Sequence, residues 1–84
     1  MSLTELTLNT TAIVQDVQTE GDNIALTQRL AALGIRPQCQ VCVLRKAGFG
    51  GPLHVRVGAT TEVALRRHEA VQILVMPIAE SRRE

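Results

Sequence analysis

Apolar and polar residues alternate most cleanly at Leu53-His54-Val55-Arg56-Val57, where every second side chain is aliphatic. Successive side chains of a strand point to opposite faces, so this segment predicts a strand with one buried face. Thr11 to Val17 alternates more loosely, with Ile13 and Val17 apolar against Gln15 and Asp16, and reads as a first strand. Gln40 to Lys46 is expected to place Val41 and Val43 on one face and Cys42 and Leu44 on the other. Glu62 to Leu65 and Val71 to Met76 supply two further short strands, separated by the polar turn Arg66-Arg67-His68-Glu69. One segment has a different period. Leu26, Leu30 and Leu33 fall at i, i+4 and i+7, one face of a helix from Ile24 to Leu33. Gly21-Asp22-Asn23 ahead of it offers two N-caps, Gly34 after it suits a left-handed C′ position, and Pro37 prevents the helix from resuming. So short a helix is unstable alone and must pack on the sheet.

The connections agree with this order. Leu3-x-x-Leu6 opens the chain, a polar turn follows at Asn9-Thr10, Gly48-Phe49-Gly50-Gly51-Pro52 forms a hairpin connection, and Gly58 marks a bend. The fold class expected is therefore mainly β: a small barrel of about five short strands, with one short α-helix inserted after the first strand.

At 84 residues the chain has room for one domain, expected over residues 1–79, with residues 80–84 as a solvated tail. Its composition is 45% hydrophobic, but Phe49 is the only aromatic residue, so the interior must be aliphatic. That leaves no aromatic platform for stacking bases, and a net charge of +1 provides no broad basic field for a phosphate backbone. Nucleic acid is excluded as a partner class. The N-terminus lacks the cationic and apolar regions of a secretory signal, and the apolar stretch Ile73 to Ala79 is interrupted by Pro77. It is far short of the ~20 residues that span a bilayer. These features predict a cytoplasmic protein without direct membrane insertion, whose two cysteines are reduced thiols.

The ordered set of signals resembles the ferrous-iron-transport protein A (FeoA) family. Leu3-x-x-Leu6 leads to a strand holding Ala12 and Ile13, and Arg29-Leu30-x-x-Leu33-Gly34-Ile35-x-Pro37 ends the helix. Val41-x-Val43 follows, then Phe49-Gly50-x-Pro52-Leu53 in the hairpin, and Leu65-Arg66-x-x-Glu69-Ala70-x-x-Ile73-x-Val75 closes the pattern. Asn9 and Gln38 stand where the family pattern carries glycine, and Gly48 and Gly51 replace its more usual Pro and Asp. The resemblance implies an SH3-like barrel, similar to the third domain of some iron-dependent repressors. It also implies a non-enzymatic accessory or regulatory role in ferrous iron uptake. The partner implied is the cytoplasmic GTP-binding domain of a ferrous iron permease, FeoB-like, which would recruit the protein to the inner face of the membrane.

The chemistry-bearing residues are few. Arg45-Lys46 and Arg66-Arg67 are basic pairs whose ordinary role is solvation; brought together by the fold, they would meet an acidic patch on a partner. Phe49, between two glycines on a hairpin tip, either anchors an interface or folds back over the barrel end. Cys39-x-x-Cys42 has the spacing of a chelating pair, but at the start of a strand the two sulfurs point apart, which favours two small, partly buried residues. His54 is expected on the solvated side of its strand, and His68 beside Glu69 in a turn; with a carboxylate or a second copy of the chain, either would ligate Fe(II) or Zn(II) weakly. No cofactor is required on this reading, and pairing of a second copy through an open strand edge stays open. There is no phosphate-binding loop with its Lys-Ser/Thr, and no Ser/His/Asp arrangement, so no enzymatic activity is expected.

Overall fold

The computed structural model describes residues 1–18 and 24–78. The two N-caps expected at Asp22 and Asn23, and the tail expected over residues 80–84, lie outside the described residues. The elements are β1 (Thr11–Val17), α1 (Ile24–Ala32), β2 (Gln40–Lys46), β3 (Leu53–Val57), β4 (Thr61–Leu65), α2 (Arg67–Ala70) and β5 (Ile73–Pro77). A single 3-10 turn, Leu3–Glu5, precedes them. The strands form one antiparallel sheet in the order β4-β3-β2-β1-β5, with α1 inserted between the first two strands, as expected from the sequence.

The core is almost wholly aliphatic. Leu53, Val55 and Val57 of β3 are buried while His54 and Arg56 are partly exposed, so the strict alternation in the sequence becomes the inner and outer faces of the strand. Register carries that face across the sheet: Val43 lies opposite Val55, Val41 opposite Val57, and Leu53 opposite Leu65. Leu30 of α1 is fully buried against this layer, with Leu26 and Leu33 packed at its margin. The helix ends in a Schellman arrangement, where the Ile35 amide donates to Leu30 O and the Gly34 amide to Ala31 O, both at 2.9 Å. Gly34 has φ +92°, as that motif demands.

Three expectations need correction. In β1 the buried residues are Ala12 and Val14, while Ile13 and Val17 are only half-buried. The pairing of β1 with β5 shifts between Val14 and Asp16, and a bulge of this kind resets which face later residues present. In β2, Cys42 is buried along with Val41 and Val43, and a second shift between Val43 and Arg45 sets Arg45 opposite His54 and Lys46 opposite Leu53. The segment read as a polar turn is in part the helix α2, and the last strand begins at Ile73 rather than Val71.

Asn9 and Gln38, the two positions where the family pattern carries glycine, have φ +63° and +81°. Both hold the left-handed backbone that glycine adopts freely and other residues adopt at a cost. The Cys39 amide donates to Arg36 O at 3.1 Å, closing a turn with Pro37 and Gln38 at its centre, the arrangement that usually takes glycine in the second central place.

Candidate functional site

The hairpin between β2 and β3 is built by a turn in which the Gly51 amide donates to Gly48 O at 3.1 Å. Its two central residues, Phe49 and Gly50, have φ +58° and +75°, the signs of a type I′ turn. Asn-Gly is the usual occupant of such a pair, and a bulky residue in the first place is an outlier. Phe49 is nonetheless there, 111% exposed, with its ring covering no part of the barrel end. At the fourth place of the turn, a Cβ added to Gly51 would lie 2.7 Å from Ala47 Cβ, so this turn accommodates only glycine there.

Beside the hairpin, α2 is fixed by a carboxylate. Glu69 is 5% exposed, and its Oε1 accepts the Arg66 amide at 3.0 Å, satisfying a donor at the start of the helix. Its Oε2 lies 3.0 Å from Arg29 Nε, an ion pair that ties α1 to α2. With Glu69 turned inward, Arg66 and His68 are exposed, and Arg67 lies half-buried against the hairpin.

These elements enclose a groove of about 790 Å³, with Arg29, Arg66, Arg67 and His68 around Pro52 and Ala64. A second groove of about 450 Å³ adjoins it, lined by Arg45, Lys46 and His54 together with Ala47 and Leu53. Pro52 and Ala64 line both. The fold thus brings the basic pairs Arg45-Lys46 and Arg66-Arg67 to the two sides of one shared ridge. Two of the cations already have partners: Arg29 pairs with Glu69, and Lys46 Nζ donates to Thr4 O at 2.9 Å.

The metal candidates are spread out. Cys39 is half-buried and Cys42 buried, both as free thiols, and the Arg36 amide lies 3.5 Å from Cys39 Sγ. His54 Nε2 lies 2.8 Å from Glu62 Oε1 across the β3–β4 pair, a partner that the sequence pattern did not indicate. Among the described residues no group of three or more His, Cys, Asp or Glu side chains is placed to share an ion. Glu69, engaged by Arg29 and the Arg66 amide, does not turn toward His68. The donors of one chain therefore do not compose a resident metal centre within the described residues.

A family model for the FeoA domain matches residues 1–77. The chain belongs to the FeoA family. The FeoA family is associated with ferrous iron transport. The FeoA of Stenotrophomonas maltophilia, solved in complex with zinc and described as a procaryotic SH3 domain protein, is 40% identical, with a TM-score of 0.77. That alignment covers 90% of this chain and 89% of the other. The FeoA of Chlorobium tepidum is 34% identical with a TM-score of 0.81, over 94% of this chain and 71% of the other. A manganese-dependent transcriptional repressor shares the fold at a TM-score of 0.80 and 22% identity, over 93% of this chain and 36% of that one. A search of curated proteins found no match. Among the described residues, no FeoA helix here is long and apolar enough to cross a membrane.

Proposed function

We propose that this protein is an accessory and regulatory component of ferrous iron uptake that docks on the cytoplasmic GTP-binding domain of a ferrous iron permease. The observation that carries the reading is Phe49, an aromatic side chain wholly exposed on a backbone conformation that penalises it. No contact among the described residues repays that penalty, whereas an interface that buries the ring does. The basic residues Arg45, Lys46, Arg66 and Arg67 flank the same hairpin and steer an acidic partner surface toward it. The protein carries out no chemistry on this reading. It raises or lowers transport by binding one conformation of the permease domain more tightly than another. It works in the cytoplasm, at the inner face of the membrane where its partner sits.

The test is a calorimetric titration of this protein into the soluble GTP-binding domain of the permease from the same cell, under anaerobic conditions. Saturable binding that weakens with Phe49→Ala and with Arg45→Glu supports the docking role. Unchanged affinity in both variants, or no binding with Fe(II) present and absent, removes it.

The zinc complex of the 40% identical relative favours a second reading, a transition-metal module completed by two copies of the chain. His54 and Glu62 offer two adjacent donors on an outer strand face, and a second copy would supply the others. Zinc that drives dimerisation in sedimentation, and fails to do so in His54→Ala, supports that reading. Zinc bound equally by His54→Ala, or bound without dimerisation, eliminates it.

A further inference from the structure

The two grooves that meet at Pro52 and Ala64 have properties that define what fits them. Their charged lining is cationic throughout, since among the described residues no carboxylate lines either one. Arg45 and Arg66 are exposed there without a carboxylate partner among the described residues, while Arg29 and Lys46 are already engaged. Arg67 Nε is buried and has no hydrogen-bond partner among the described residues. Buried donors are almost always paired in folded proteins, so this nitrogen is an unmet hydrogen-bonding group in the wall of the groove. The residues shared by the two grooves, Pro52 and Ala64, are small and apolar.

The sheet adds a further feature. Ala64 lies on β4, the end strand of the sheet, whose outer edge has no strand beside it among the described residues. At the other end, β5 is covered by the N-terminal segment, through the Ser2–Leu74 bridge and the Val75 amide donating to Met1 O at 2.7 Å. Among the described residues, β4 is the sheet edge left open to an added chain.

We infer that the adjoining grooves form one track for an extended acidic peptide segment. Its carboxylates face Arg45 at one end and Arg66 and Arg67 at the other, and small apolar side chains pack on Pro52 and Ala64. This inference rests on the docking role above and deepens it: the element recognised in the partner is a linear acidic segment. An anionic membrane would also attract these cations, and binding to vesicles separates that source of charge from a peptide.

The test uses ¹⁵N-labelled protein and a short peptide of alternating Glu and Ala, followed by amide shifts. A Lys-Ala peptide and vesicles of phosphatidylserine in phosphatidylcholine serve as the comparison probes. The expected result is saturable binding of the acidic peptide alone, with the largest shifts at Gly50, Ala64, Arg66 and Arg67. Arg66→Glu and Ala64→Glu, both at exposed positions and checked for folding by circular dichroism, should each weaken it about tenfold. Shifts elsewhere, equal affinity in these variants, equal binding of the Lys-Ala peptide, or vesicles binding through these residues while the peptide does not, would each overturn the inference. The permease domain is titrated in parallel. If it binds and the acidic peptide does not, the docking role stands and the linear track falls; if neither binds, both fall.

Discussion

Replacing Phe49 should separate stability from binding in one small set of variants. With φ +58° at Phe49, left-handed backbone costs a residue with a Cβ on the order of 1–2 kcal/mol. The exposed ring recovers none of this through burial. Phe49→Gly removes the steric cost but adds about 0.5–1 kcal/mol of chain entropy in the unfolded state, for a net gain of roughly 0.5–1 kcal/mol. Phe49→Asn reaches a similar gain by a different route, because Asn tolerates the left-handed region and Asn-Gly is the preferred central pair of a type I′ turn. In a domain of this size that gain raises Tm by roughly 2–8 °C. Phe49→Ala keeps the Cβ and hence most of the strain, so its Tm should stay near that of the parent. All three variants lose the ring and should bind the permease domain more weakly by about tenfold or more, as expected of a central aromatic anchor. Thermal unfolding by circular dichroism gives the first quantity and calorimetry the second. A fall in Tm for Phe49→Asn would refute the reasoning, since it would mean that the ring stabilises the folded chain.

Four further outcomes follow from the same geometry. Gln38→Gly, at φ +81°, should stabilise the protein by about 0.5–1 kcal/mol in urea denaturation, with no effect on partner binding. Glu69→Ala strands the Arg66 amide and releases Arg29, and should cost about 2 kcal/mol. Glu69→Gln keeps an acceptor for that amide and loses only the pair with a half-exposed guanidinium, so about 0.5–1 kcal/mol is expected in the same assay. Gly51→Ala forces a Cβ to within 2.7 Å of Ala47 and should cost roughly 1–3 kcal/mol, with its amide shifts confined to the hairpin.

What the sequence revealed divides along the range of the interactions involved. β3 was legible residue by residue because its alternation has no irregularity, and α1 because Leu26, Leu30 and Leu33 share a face and Gly34 ends it. β1 was found but its inner face was not. Ala12 is a weak hydrophobic signal beside Ile13, and the register shift after Val14 breaks the period on which a face is read. The turn expected at residues 66–69 contains a helix because Glu69 caps it and is itself held by Arg29, a residue 40 positions away. No local pattern carries that. For the same reason the two basic pairs could be recognised as pairs, while their meeting over Pro52 and Ala64 depends on how β2, β3, β4 and α2 come together in the fold.

The three non-glycine residues in left-handed backbone mark where local preference is overruled, and they are not equivalent. Around Asn9 and Gln38 the backbone is tied to the sheet: the Asn9 amide donates to Val43 O and the Gln38 amide to Val14 O, each at 2.8 Å. Strain at those positions is offset within the fold, by hydrogen bonds that anchor a turn to its neighbouring strand. Phe49 stands at a tip with its side chain wholly in solvent, so no comparable packing offsets its strain. A glycine or asparagine would close this turn at lower cost, and the aromatic residue adds nothing to the barrel. Burial of the ring in an interface would supply that compensation, and this is the physical basis of the docking role proposed for Phe49.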